Sequence, residues 1–331
     1  MTMYIDDDGA ASALKHRALL DALTAAHVAH HRGEITQPIP TVLPLPGSAL
    51  GGVDDPRHVL MSASAADLTL VKVLLDAPGR RATGGPAQRS MISVYSTATG
   101  DCLALVEGRA LTRTRTAMAT VLAVRTLARA DTRTVAVVGA GALAAEHVRA
   151  LASAIGPERL VLWARRREAA EQLSRVARSV GCSAEVADTI CDLAASADAV
   201  ITVTPARLPL LSADHLRPGL HVSAVGSPPR PGYRELAESA FASADLVVVD
   251  DVSVARAESA QVQAALAAGM PDESLIELGA VLAGDHPGRT DPDQITVHSS
   301  IGVALQDLAA VRVLLGREGL TSGSAPGTDL G

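Results

Sequence analysis

The chain has 331 residues, 48% of them hydrophobic and 20% charged, which allows a large buried core and excludes a disordered protein. A formal net charge of −7 with no Lys/Arg run excludes an electrostatic nucleic-acid binder, and one Phe, one Trp and three Tyr make no stacking platform for bases. Cys102, Cys182 and Cys191 form no CxxC pair and no His/Cys metal spacing, so they read as reduced thiols of a cytoplasmic protein. The start, "MTMYIDDDGA", is acidic where a secretory signal needs a basic region, and no apolar run is long enough to span a membrane.

Residues 10–31, "AASALKHRALLDALTAAHVAHH", predict one amphipathic helix. Its histidines, His16, His27, His30 and His31, read as a solvated face rather than metal ligands, because no cysteine or carboxylate cluster joins them in sequence. Short strands and turns are expected through "TVLPLPGSALGG". Three strands follow in "LTLVKVLL", "RSMISVYS" and "CLALVEG", with "TATGD" as a hairpin loop. Lysine occurs only at Lys15 and Lys72. Taken alone, Lys72 reads equally as an edge-strand lysine with its stem on apolar surface or as a site residue with a movable pKa.

From residue 111 the texture changes. "LTRTRTAMATVLAVRTLARA" predicts a long helix leading into "TRTVAVVGAGALAAEHVRALASA". Apolar strands then alternate with helical patterns, which predicts an α/β fold: a Rossmann-type doubly wound parallel sheet plus an N-terminal α+β domain. The tail holds a final amphipathic helix, "SSIGVALQDLAAVRVLLGREG", and a frayed end, "LTSGSAPGTDLG". The expected layout is residues 1–117 with 303–331 as a substrate-binding and dimerisation domain, and 118–302 as a dinucleotide-binding domain.

Gly139, Ala140, Gly141, Ala142, Leu143 and Ala144 form a GxGxxA fingerprint between a strand and a helix. Gly139 permits the tight turn, Gly141 lets the backbone approach a pyrophosphate, and Ala144 allows close helix–strand packing. At the end of the next strand, where an NAD enzyme places a carboxylate on the ribose, the chain runs Ala164, Arg165, Arg166, Arg167. Guanidiniums there suit a 2′-phosphate, so NADP(H) is the expected cofactor, with Arg165 and Arg166 as its contacts.

"ALTRTRTAMATVLAVRTLA" followed by "VAVVGAGALAAEHVRAL" resembles the ornithine cyclodeaminase/mu-crystallin family, whose members share an "LT..RTAA" helix start and "GAGVQA". "ADAVITVTPARLPLL", "LRPGLHVSAVGSPPRPGYREL", "VVVDD" and "ITVHSSIGVALQDLAAV" continue the likeness in order, over about residues 34–315. The resemblance implies a homodimer with an active site between two domains, and hydride transfer between nicotinamide and a C–N carbon. It places Lys72 and Arg115 in catalysis, and Arg115 also beside the cofactor. It puts Thr204, Val225 and Ser300 along the nicotinamide, Gln88 on a loop that reaches the cofactor, and Glu258 in the ligand pocket.

Three departures narrow the activity. Pro228 stands where cyclodeaminases carry an Asp base, Pro40 where many members have a carboxylate-clamping arginine, and His298 where Phe is usual. "RLVLWARR" resembles the "IWNR" of mu-crystallin-like ketimine reductases. The resemblance therefore implies an NADPH-dependent reductase of a small imine or iminium, expected to be cyclic, with His298 and Pro228 beside the substrate. An NADP-dependent amine or amino-acid dehydrogenase, a cyclodeaminase-type lyase and a non-catalytic crystallin-like binding protein are the alternatives.

Overall fold

The computed structural model describes residues 2–45 and 54–316. Part of the expected strand-and-turn region (46–53) and the expected frayed end lie outside the described residues. The first sheet holds β1 (Met3–Ile5), β2 (Thr41–Pro44), β3 (Arg57–Ser64), β4 (Leu68–Asp76), β5 (Gln88–Ser96) and β6 (Cys102–Glu107). Their order is β1-β6-β5-β4-β3-β2, antiparallel except where β1 joins β6. Side chains alternate across the sheet, so the register Met61–Lys72–Ile92 puts these three on one buried face. Val73, Met91 and Leu105 are exposed on the other. β4 is a central strand, which removes the edge-strand reading of Lys72.

The expected single helix at the N-terminus is two: α1 (Asp7–Ala13) and α2 (His16–His31). Leu14 and Lys15 take extended backbone between them, and Asp6 caps α1 by accepting from the Gly9 N–H at 2.7 Å. The histidines are not a solvated face. His27 is fully buried, and His30 and His31 are partly buried against carboxylates of the second sheet's side of the molecule. A helix packed on two sides buries residues that a one-sided amphipathic pattern assigns to water.

α3 (Gly108–Leu127) carries the chain from the first sheet to the second and is buried almost throughout. The second sheet holds β7 (Thr134–Val138), β8 (Arg159–Trp163), β9 (Ala184–Val186), β10 (Ala199–Thr202), β11 (His221–Ala224), β12 (Leu246–Val249), β13 (Leu275–Glu277) and β14 (Thr296–Ser299). All pairings are parallel, in the order β13-β12-β14-β11-β10-β7-β8-β9. Between the strands run α4 (Ala142–Ala154), α5 (Arg167–Ser179), α6 (Ile190–Ser196), α7 (Glu238–Ala242), α8 (Val252–Glu258), α9 (Ala260–Ala267) and α10 (Leu278–Ala283). This is the expected doubly wound α/β sheet. The chain reverses its winding between β7 and β10, which sets the ligand crevice at their C-terminal ends. α11 (Ala304–Leu314) then returns to pack on α2 and β3.

Candidate active site

A cleft of about 1450 Å³ lies between the buried face of the first sheet and the C-terminal ends of β7, β8, β10 and β11. The fingerprint forms its nucleotide end. Gly139, with φ of 121°, turns the chain out of β7 where an added Cβ would meet the Val203 carbonyl at 2.6 Å. Gly141 caps α4, and a Cβ there would meet nothing within 4 Å. The open space over a helix N-terminus is the cradle a pyrophosphate requires. Ala140, Ala142 and Leu143 line the same wall, while Ala144 is fully buried under the helix. Arg165 and Arg166 are exposed at the cleft rim after β8, whereas Arg167 is paired with Asp188 and Glu171. The residues present therefore fit a dinucleotide.

Further along the cleft, Thr204 follows β10 and Val225 follows β11. A residue absent from the expected site joins their loops. The fully buried Glu235 accepts from the Thr204 N–H (2.6 Å), the Thr204 hydroxyl (2.8 Å) and the Gly226 N–H (2.7 Å). Burial raises its pKa against the pull of these donors. Gly226 has no room for a side chain, since a Cβ would lie 1.9 Å from the Thr204 nitrogen. Ser300 lines the cleft and donates to Asp250 Oδ2 at 2.6 Å. Asp250 also accepts from the Ile301 and Gly302 N–H groups and from Gln306, so one buried carboxylate fixes the loop after β14.

At the end of the cleft formed by the first sheet, Lys72 is 1% exposed, yet it lines the cleft. Its Nζ donates to Thr112 Oγ1 at 2.8 Å and to both oxygens of Asp307 at 3.0 and 3.1 Å. Arg115 donates from Nε to Asp307 Oδ1 at 3.0 Å and from Nη1 to Gln306 Oε1 at 2.7 Å. Two cations thus share one buried carboxylate. Burial, with Arg115 adding to it, pulls the Lys72 ammonium from 10.5 down to about 8 against the attraction of Asp307. Burial alone would raise the Asp307 carboxyl, but the Arg115 and Lys72 charges hold it below its ordinary value.

Pro40, Gln88, Glu258 and Pro228 also line the cleft. Glu258 is its only lining carboxylate among the described residues; burial raises its pKa, opposed by the Arg57 charge. Gln88 donates to Asp76 at 3.3 Å. His298 does not reach the cleft. It is fully buried in β14, a strand flanked by β11 and β12 inside the parallel sheet, and pairs with Asp250 at 3.3 Å, so the expected substrate contact is not made. Asp307, Thr112, Glu235 and Asp250 escaped the sequence reading. Asp307 alone left a signal: a carboxylate inside the otherwise apolar "GVALQDLAAV" needs a buried partner.

Known proteins are similar to this chain over most of its length. Δ1-pyrroline-2-carboxylate reductase of Bacillus thuringiensis subsp. konkukian is 29% identical over 279 residues, covering 83% of this chain and 85% of the relative. Ketimine reductase mu-crystallin of Mus musculus is 30% identical over 285 residues, covering 85% of each. The crystal structure of the iminosuccinate reductase of Paracoccus denitrificans in complex with NAD+ superposes with a TM-score of 0.85 at 26% identity, covering 96% of both chains. The model of the ornithine cyclodeaminase/mu-crystallin family matches residues 12–320. With that match spanning both sheets and the cleft between them, the chain belongs to the ornithine cyclodeaminase/mu-crystallin family.

Proposed function

We propose that this protein is an NADP(H)-dependent imine reductase that adds hydride to the C=N carbon of a small imine or iminium. The observation that carries the reading is the buried Lys72–Asp307–Arg115 group facing a cleft whose other end is a dinucleotide fingerprint. Bound reduced nicotinamide supplies the hydride. The chain's own residues hold the reactants together, exclude water and manage one proton, because a neutral imine gains H⁻ at carbon and H⁺ at nitrogen.

Lys72 donates that proton. Its pKa of about 8 leaves the ammonium populated at neutral pH and able to release a proton, while Asp307 keeps the Nζ aimed. Arg115, paired with Asp307 through Nε, still compensates that carboxylate when Lys72 becomes neutral. Glu258, whose pKa burial raises, lines the cleft and offers the substrate a carboxyl group. Pro228 offers no carboxylate to activate an amine or water, which disfavours a cyclodeaminase reading, and Pro40 offers no clamp for a substrate carboxylate. Lys72 at this pKa also suits amine oxidation in the reverse direction.

The NADP(H) preference rests on Arg165 and Arg166, for which a 2′-phosphate is the matching anion. The neighbouring iminosuccinate reductase was solved with NAD+, so support for the preference comes from this chain's β8 ending and not from that relative. We further assign residues 1–117 and the last helix to substrate binding and dimerisation, and 118–302 to the nucleotide. The exposed Val73, Met91 and Leu105 support the outer face of the first sheet as the homodimer contact. Three free cysteines suit a cytoplasmic setting, and no helix among the described residues is long and apolar enough to cross a membrane.

The test is NADPH and NADH oxidation, followed by absorbance, with cyclic imines bearing or lacking an adjacent carboxylate. Turnover with NADPH, with Arg165→Ala/Arg166→Ala raising its KM about tenfold and sparing NADH, is the expected result. Tight NADPH binding without turnover of any imine would favour a binding protein, and proline formation from ornithine with ammonia release would favour a lyase.

A further inference from the structure

We propose that His30, Asp251 and Glu277 form a binding site for a divalent transition metal of the zinc type, joining α2 to the nucleotide-binding sheet. One ligand atom from each of the three lies within 4.8 Å of the other two. The residues come from three separate segments: the end of α2, the N-cap of α8 and the last residue of β13.

Each ligand is held by its second atom. His30 Nδ1 lies 2.9 Å from the Ile35 carbonyl and must donate to it, which leaves Nε2 turned toward Asp251 Oδ2 at 3.0 Å. Asp251 Oδ1 is taken by the Val254 N–H at 2.9 Å, and Glu277 Oε1 by the Val252 N–H at 3.3 Å. Gln37 orients Asp251 further by donating to Oδ2 at 2.8 Å. Ligands whose far atoms are fixed by hydrogen bonds are the usual outer shell of a metal site.

With Nδ1 donating to Ile35, the 3.0 Å contact of Nε2 with Oδ2 is bridged by a second ring proton. A metal can take the place of that proton. Their 3.0 Å separation is close to the roughly 3.3 Å between ligands of a tetrahedral ion bound at about 2.0 Å. One imidazole with two carboxylates favours zinc-type ions over calcium or magnesium. Binding would expel the proton from His30 Nε2, neutralise two carboxylates and leave a fourth position to water. Entry is open on the Glu277 side, where that side chain is 26% exposed.

The test is calorimetric titration of the full chain, stripped with a chelator, against zinc chloride, in a Cys191→Ser background. That substitution removes a competing surface thiol, which lies 3.5 Å from His215 Nε2. One equivalent of zinc is expected, with affinity lowered at least tenfold in both His30→Ala and Glu277→Gln. Cobalt(II) should give ligand-field bands that the same variants lose, and circular dichroism verifies that the variants fold. Absence of zinc binding, or wild-type affinity in either folded variant, overturns the proposal.

Discussion

Lys72 combines two properties that rarely coexist: almost complete burial and direct access to a reactant cleft. Its lowered pKa has consequences of opposite sign for activity and stability. As the proposed proton donor it must be charged, so kcat/KM for a neutral imine should fall as pH rises through about 8. Lys72→Met should lower turnover by about two orders of magnitude and leave NADPH affinity intact. A pH profile unchanged by that substitution would remove Lys72 from the proton's path. For stability, the unfolded lysine binds its proton up to about 10.5 and the folded one only up to about 8. The unfolded state therefore holds more protons in that window, and the lysine's unfavourable contribution is relieved as pH rises across it. The sequence showed that this position was unusual, since an arginine-rich chain places a lysine within an apolar strand. It could not show Asp307, which lies 235 positions away and becomes a partner only through the fold.

At the scale of elements, the parallel sheet and its fingerprint were the most legible parts. A strand, two glycines and a helix in close succession leave little conformational choice. The short strands β1, β9 and β13 were not legible, because three residues carry no period and their pairing comes from neighbouring strands. The break between α1 and α2 was hidden by alanine and leucine, which suit a helix on either side of Leu14. α11 was recognised as an amphipathic helix, yet every residue from Ala304 to Val313 is buried. An anion inside such a helix is held only by the cations it faces. Asp307→Asn should thus leave Lys72 and Arg115 uncompensated and cost about 3–5 kcal/mol of stability, read as a lowered urea midpoint. A loss below about 1 kcal/mol would mean that water already reaches this group.

Across the whole molecule, the junction between the two sheets is rich in buried imidazole. His27 and His147 are both fully buried and held near pH 4 by desolvation. Between pH 6.5 and 4 the unfolded chain binds protons at these positions that the folded chain refuses, so stability should fall as pH drops through that window, by several kcal/mol in all. Urea midpoints measured from pH 7 to 4.5 test this, and a flat profile would contradict it. Composition alone suggested none of it, since a histidine is assigned to surface or core only by what packs around it. The return of α11 to β3 and β4 has a last consequence, for synthesis. During translation both sheets can emerge and pair while Lys72 still lacks its counter-ion, because Asp307 lies after every described strand. Until that helix docks, Lys72 and Arg115 both lack the carboxylate they share, so the buried Lys72–Asp307–Arg115 group can form only at that last step.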